Sequence, residues 1–207
     1  MTPTVFFVIG PAGSGKSTVS RQLARRYDAA YLDKDTVATA FTELLLEQNG
    51  SDRNDRDHNE YYLSTILPLE YATLLRLCAD NLGVGRSVVL DAPFGRFFAD
   101  GDYLLEATAD WPDASLVVVH VTAAGPLVQD RVARRGYARD TWKLAHWDQF
   151  WATTQATTCN WSGATHLTLD NSSDTLDLDG FDTALRAAAG RVSGANGQEP
   201  AAGPGTA

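Results

Sequence analysis

The sequence predicts an α/β fold, a three-layer sandwich in which a five-stranded parallel sheet carries helices on both faces. Three observations predict it. Short apolar runs alternate with segments of helical spacing along most of the chain. The runs Val88-Val89-Leu90 and Leu116-Val117-Val118-Val119 lack polar alternation, as strands beneath two helix layers do. Between the first strand and the first helix stands Gly10-Pro11-Ala12-Gly13-Ser14-Gly15-Lys16-Ser17, which fits G-x-x-x-x-G-K-[ST], the phosphate-binding P-loop.

The elements follow in order. Residues 4–9 form a strand through Val5-Phe6-Phe7-Val8-Ile9, and 16–27 a helix with Val19, Leu23 and Tyr27 in phase. Ala29–Asp33 is a short second strand, and 35–48 a helix with Val37, Phe41, Leu44 and Leu45 on one side. The polar, charged stretch from Gly50 to His58 reads as a loop, before a long helix over 59–82 that Pro68 is expected to kink or break. Ser87–Leu90 is a strand ending at Asp91, and a helix is expected within 97–110, weakened at its start by Gly101. Ser115–Val121 is a strand, and Pro126 suits the first residue of a helix ending near Gly136. A basic stretch, an aromatic helix over 140–157, a strand Thr165–Leu169 and a helix over 179–191 complete the domain, assigned to 1–192. The Gly-, Ala- and Pro-containing tail from Ser193 to Ala207 is expected to be disordered.

A chain of 207 residues defaults to one domain. Its formal charge of −9 makes nucleic acid an unlikely partner. Cys78 and Cys159 lack metal-ligand spacing and read as reduced, buried residues, which with the missing signal-peptide pattern leads to a cytoplasmic expectation. No apolar run approaches the eighteen or so residues of a membrane span.

The P-loop carries the clearest chemistry. Its glycines let the backbone curl so that several N–H groups face one concavity, and the helix behind adds its positive end. Gly10, Pro11, Ala12, Gly13, Ser14, Gly15 and Thr18 are therefore assigned to the nucleotide, Lys16 to its β- and γ-phosphates, and the Ser17 hydroxyl to Mg²⁺.

Three further runs belong to the other half of a transfer reaction. Tyr31-Leu32-Asp33-Lys34-Asp35 ends the second strand with two carboxylates, at the sheet edge where ligands bind. An acceptor alcohol needs a carboxylate to orient it and take its proton, and Asp35 is the candidate; it also suits a helix N-cap. Asp33 is assigned to the metal and the acceptor. Asp91, after the third strand, reads as a second metal-holding carboxylate, with Arg96 beyond it facing the acceptor. Ala92 stands where many hydrolysing P-loop ATPases have a Glu, which favours transfer to a bound acceptor. The arginines of Arg131-Val132-Ala133-Arg134-Arg135-Gly136-Tyr137-Ala138-Arg139 fit a lid that closes on phosphate. Arg131 and Arg135 share a helix face and are assigned to the transferring group, Arg139 to the nucleotide.

Tyr61, Tyr62, Phe94, Phe97, Phe98, Trp142 and Trp147 surround the site in sequence order, as core residues or as walls of an acceptor pocket. His58, His120, His146 and His166 are scattered and read as structural or surface residues.

Together these residues resemble the small P-loop kinases, and within them the group containing zeta toxins, chloramphenicol phosphotransferase and polynucleotide 5′-kinase. The stretch Leu32-Asp33-Lys34-Asp35-Thr36 is similar to one that carries the catalytic base of zeta toxins at its second Asp, here Asp35. The resemblance implies a kinase using ATP and Mg²⁺, a small-molecule alcohol acceptor and a sheet in the order 2-3-1-4-5. It also implies that Asp170-Asn171-Ser172-Ser173 lies near the adenine, with Asn171 as a nucleotide residue. Polynucleotide kinases have an Arg three residues beyond the matching Asp, where this chain has Ala38.

Overall fold

The computed structural model describes residues 2–56, 59–137 and 140–195. Its sheet contains β1 (Thr4–Ile9), β2 (Ala30–Asp33), β3 (Val88–Asp91), β4 (Ser115–Thr122) and β5 (Thr165–Asp170). All four neighbouring pairs are parallel, in the order β2-β3-β1-β4-β5. This is the expected topology, and it gathers the carboxyl ends of β1, β2 and β3 at one edge.

The helices are α1 (Lys16–Arg26), α2 (Lys34–Gln48), α3 (Leu67–Gly83), α4 (Tyr103–Ala107), α5 (Gly125–Arg135), α6 (Thr141–Ala145), α7 (Trp147–Ala156) and α8 (Leu178–Ala195). Side chains of β1 alternate between two cores. Phe6 and Val8 pack with Val19 and Leu23 of α1 and Phe181 of α8, while Val5, Phe7 and Ile9 share the opposite core with Leu74 and Cys78 of α3. Phe94 is the aromatic centre of that second core, with ring centroids 5.7 Å from Phe7, 5.0 Å from Tyr71 and 5.6 Å from Trp161. It holds φ 53°, unusual for a bulky residue, and its N–H donates to the Tyr71 hydroxyl at 3.1 Å. Both cysteines are buried and unpaired, and burial pushes the Cys78 thiol up to about 12.

Two expectations need correction, and two others take a specific form. Phe41 and Leu44 of α2 are 70% and 51% exposed, whereas Ala38, Thr42 and Leu46 are buried. The Thr42 hydroxyl donates to buried Glu70 at 2.5 Å, so a polar contact sets the phase of this helix. The interruption expected at Pro68 takes the form of a π-helical turn, Tyr62–Ile66, which leads into α3 with Pro68 in its first turn. The wider turn places the Leu67 N–H on the Tyr62 carbonyl and spares the Pro ring a clash with the carbonyl one α-turn back. The helix expected within 97–110 is α4, beginning after Gly101 and preceded by a 3₁₀ turn, Gly95–Phe97. The Phe97 and Gly101 carbonyls are taken instead by the Trp161 indole N–H at 2.8 Å and the Ser162 N–H at 2.7 Å. The aromatic helix over 140–157 is two helices, parted at His146, whose φ of −125° is not helical. Helix α8 runs on to Ala195, and the rest of the expected tail, 196–207, lies outside the described residues.

Replacing Phe94 with Ala empties the centre of the aromatic core. Urea unfolding should show a loss of about 3–5 kcal/mol in stability, the usual cost of removing a buried Phe ring.

Candidate active site

At the carboxyl edge of the sheet lies a cleft of about 1030 Å³. Gly10, Pro11, Ala12, Lys16 and Ser17 form one part of its wall, and Asp33, Lys34, Asp35 and Asp91 another. The sequence scatters these groups over more than eighty positions, and the parallel sheet brings them together.

The P-loop geometry follows from its glycines. Gly13 and Gly15 hold φ 84° and 90°, in the left-handed region. Space is as restrictive as conformation: a Cβ on Gly15 would lie 2.0 Å from Asn171 Nδ2, and one on Gly13 2.6 Å from a Val132 methyl. Gly15 starts α1 with its carbonyl accepting from the Thr18 and Val19 N–H groups at 3.0 and 3.1 Å. The Lys16 ammonium donates to the Gly10 and Pro11 carbonyls at 2.9 Å each, at the mouth of the loop.

The three residues assigned to a metal meet. Asp33 and Asp91 are register partners on β2 and β3, and the Tyr31 hydroxyl contacts both, 2.9 Å from Asp91 Oδ2 and 3.2 Å from Asp33 Oδ2. Ser17 lines the cleft with them, and its hydroxyl favours the charged form of the Asp91 carboxylate. Burial raises Asp91 above the ordinary carboxylate range, against the Ser17 and Tyr31 hydroxyls, and the Asp33 charge raises it further. Burial and carboxylate repulsion both raise Tyr31 as well. One hydroxyl and two carboxylates are hard oxygen donors, and a divalent cation beside them would relieve this crowding of negative charge. The set thus fits Mg²⁺, which keeps several of its own waters when bound.

Asp35 stands in the first turn of α2. The N-cap is Asp33 rather than Asp35: the helix begins at Lys34, and Asp33 Oδ1 accepts from the Asp35 N–H at 2.9 Å. Between the two aspartates, Lys34 turns inward. Its ammonium lies 2.5 Å from Glu70 Oε2 and 3.8 Å from Asp35 Oδ1, with the Lys34 and Glu70 side chains 6% and 2% exposed. Glu70 also accepts from Thr42 at 2.5 Å and from the Tyr62 hydroxyl at 3.0 Å, which satisfies both of its oxygens. Lys34 and Glu70 were not among the sequence candidates. The available signal was an acid in phase with buried Leu67, Tyr71, Leu74 and Cys78 on α3.

The remaining candidates divide. Arg135 lines the cleft but is held by buried Asp140 through two bonds, Nε at 2.6 Å and Nη2 at 2.8 Å, with Lys143 at 3.3 Å. Burial works to raise Asp140, and the bonds from Arg135 and Lys143 outweigh it, leaving the carboxyl below the usual range. Arg131 faces the P-loop from behind, donating to the Ser14 carbonyl at 3.4 Å and the Asn171 carbonyl at 3.0 Å. Asn171 is buried, and its amide donates to the same Ser14 carbonyl at 2.8 Å. Arg96 is exposed in the 3₁₀ turn, away from the lining. Arg139 and His58 lie outside the described residues. Of the aromatic candidates, Tyr62, Phe98 and Trp142 line the cleft, whereas Phe94 is core and Tyr61 and Phe97 pack against it. Two scattered histidines pair across strands: His120 Nε2 and His166 Nδ1 are 2.8 Å apart, and His120 lines the cleft.

Residues 5–157 match the family described as an AAA domain. The chain belongs to this family. Among curated relatives, this AAA domain is 31% identical over 133 residues to a bifunctional pantoate ligase/cytidylate kinase of Synechococcus sp. (strain JA-2-3B'a(2-13)), covering 63% of the chain and 21% of that protein. It is 52% identical over 40 residues to the cytidylate kinase of Carboxydothermus hydrogenoformans, covering 19% of the chain and 18% of that enzyme. These matches span about a fifth of the relatives' own length. A solved structure from Chloroflexus aurantiacus, provisionally assigned as a kinase, superposes with a TM-score of 0.63 at 20% identity, covering 90% of this chain and 98% of that one. A sugar kinase from Janibacter sp. gives 0.52 at 16% identity, covering 81% and 85%. The sheet order and these superpositions give the AAA domain the fold of the P-loop kinases.

Substituting Gly15 with Ala tests the tight packing behind the loop. The left-handed conformation alone costs about 1–2 kcal/mol for an L-residue, and the new methyl also displaces the Asn171 amide. Calorimetric titration with MgADP should show binding at least tenfold weaker than wild type.

Proposed function

We propose that the chain is an ATP-dependent kinase that transfers the γ-phosphoryl group to a hydroxyl of a small molecule. The observation that carries this reading is the convergence on one cleft of the P-loop, the Asp33/Asp91 pair and the Asp35 carboxylate. A phosphate cradle alone describes a binding site. A further carboxylate on the same cleft wall supplies what an attacking hydroxyl requires.

In this reading the N–H groups of the P-loop hold the β- and γ-phosphates, and Lys16 moves its ammonium from the Gly10 and Pro11 carbonyls to phosphate oxygen. Ser17, Asp33 and Asp91 would hold Mg²⁺, which supplies neutralisation of phosphoryl charge when bound. Asp35 orients the acceptor hydroxyl and takes its proton as the new oxygen–phosphorus bond forms and the bond to the departing ADP breaks. Lys34 keeps the helix turn bearing Asp35 fixed to α3 through Glu70. Arg135 offsets charge on the moving phosphoryl group from the cleft wall, and Arg131 does so through its hold on the loop. Ala92 after Asp91 leaves water without the Glu that activates it in hydrolysing relatives of this fold, so attack by a bound alcohol is favoured. Within the fold, the Asp33-x-Asp35 run supports kinship with the zeta toxin and phenicol phosphotransferase group.

A nucleoside or nucleotide acceptor is the second reading, favoured by the local identity to cytidylate kinases. Arg21 and Arg56 on the cleft wall are compatible with an anionic acceptor. Long nucleic acid fits poorly with the formal charge of −9.

Incubation with γ-labelled ATP, Mg²⁺ and a panel of polyols, nucleosides, nucleotides and phenicol- or aminoglycoside-type antibiotics tests the reading. Label should pass to at least one alcohol faster than to water; label released only as inorganic phosphate would overturn it. The Asp35→Asn variant should bind MgATP within about threefold of wild type yet transfer ~10²–10⁴-fold more slowly, the range expected when a general base is lost.

A further inference from the structure

The proposed chemistry makes no use of the His120 imidazole, which lines the cleft. His120 is the register partner of Ile9, so it stands beside the residue that leads into the P-loop. Its Nε2 lies 2.8 Å from His166 Nδ1, and His166 Nε2 lies 2.8 Å from the Trp161 carbonyl oxygen.

That chain fixes the protons of the uncharged pair. A carbonyl oxygen only accepts, so His166 Nε2 carries the hydrogen. His166 Nδ1 is then a lone pair, so the hydrogen between the rings belongs to His120 Nε2. His120 Nδ1 is left as a lone pair, an acceptor that cannot donate. Among the described residues, the sealed side-chain polar atoms without a partner are Ser14 Oγ and Ser20 Oγ, so Nδ1 is not sealed. The void that His120 lines is the cleft, where Pro11, Thr157 and Thr158 are also on the wall. Burial and the neighbouring His166 hold His120 below the ordinary imidazole range, which keeps the ring uncharged at neutral pH.

We propose that His120 is an acceptor-binding residue, whose Nδ1 takes a hydrogen bond from a second hydroxyl or an amine of the phosphorylated molecule. The inference rests on the kinase reading for the identity of that molecule. An acceptor-only group beside a phosphate loop discriminates chemically: it welcomes a donor and offers nothing to a phosphate or carboxylate oxygen. The substrate class is therefore an alcohol with at least two donor groups, one attacking at Asp35 and one held at His120. His166 acts through His120, as the residue that orients its ring and fixes its tautomer.

Side-chain ¹⁵N spectra of the full chain at neutral pH test the tautomers, with His120 assigned from its absence in His120→Gln. His120 should carry its hydrogen on Nε2; hydrogen on His120 Nδ1 overturns the proposal. The same spectra are then recorded with MgADP and ribitol, cytidine or gluconate, each also assayed as a phosphoryl acceptor. The accepted compound should shift His120 Nδ1. In kinetics, His120→Ala should raise its KM about tenfold with the KM for ATP unchanged, and His120→Gln, whose amide oxygen can accept, should restore most of the loss. An unchanged acceptor KM, or an equal rise in both KM values, overturns the proposal. If a compound shifts Nδ1 but none is phosphorylated, the kinase reading fails and the subsite stands. If compounds are phosphorylated and none shifts Nδ1, the subsite fails and the kinase reading stands. If none does either, both fail.

Discussion

The carbonyl oxygen of Ser14 is the point on which the phosphate loop depends. For the loop's N–H groups to face inward, carbonyls must face outward, and a buried carbonyl needs a donor. Ser14 receives two, the Asn171 amide at 2.8 Å and the Arg131 guanidinium at 3.4 Å. They come from the residue after β5 and from α5, so the last strand and the fifth helix must be in place for the first loop to take shape. Gly13 and Gly15 complete the constraint, because the space a side chain would need is already filled by Val132 and Asn171. The loop is shaped as much by what presses on it from behind as by its own glycines.

A second constraint governs the opposite side of the cleft. Asp33 and Asp91 share a register position, so their negative charges are pressed together by the sheet itself. Buried Lys34 stands beside them, but its charge is already matched by Glu70. Lys16 offsets part of the negative charge at Asp91, and a cation bound in the cleft would offset more of it. Lys34 and Glu70 instead fasten the first turn of α2 to α3, which fixes the direction of Asp35. Such a pair is costly to bury singly and economical only because Thr42, Tyr62 and Lys34 together occupy both carboxylate oxygens.

Much of this was legible in the sequence. The five strands, their parallel arrangement, the P-loop and the carboxylates Asp33, Asp35 and Asp91 all come from local patterns whose meaning does not depend on distant neighbours. What was illegible depended on long-range partners. The phase of α2 cannot be read from Val37, Phe41, Leu44 and Leu45, because the buried position goes to Thr42 for the sake of an acid on another helix. Arg131 was assigned to the transferring group and Asn171 to the nucleotide, but their observed bonds run to the Ser14 carbonyl of the loop and, from Arg131, to the Asn171 carbonyl. Arg135 carries its charge to the cleft already matched to Asp140, a partner only five positions away that charge counting alone does not reveal. The histidine pair needed β4 and β5 to be neighbours, which spacing cannot supply.

The π-helical turn at Tyr62–Ile66 has a consequence beyond accommodating Pro68. A π turn contains one residue more than an α turn, and each residue of helix rotates its neighbours by about 100°. The segment before it is thereby turned out of step with α3, so that Tyr62 can meet both Glu70 and the cleft while Leu67, Tyr71 and Leu74 keep their places in the core. The turn works as a phase adapter between two surfaces with different demands.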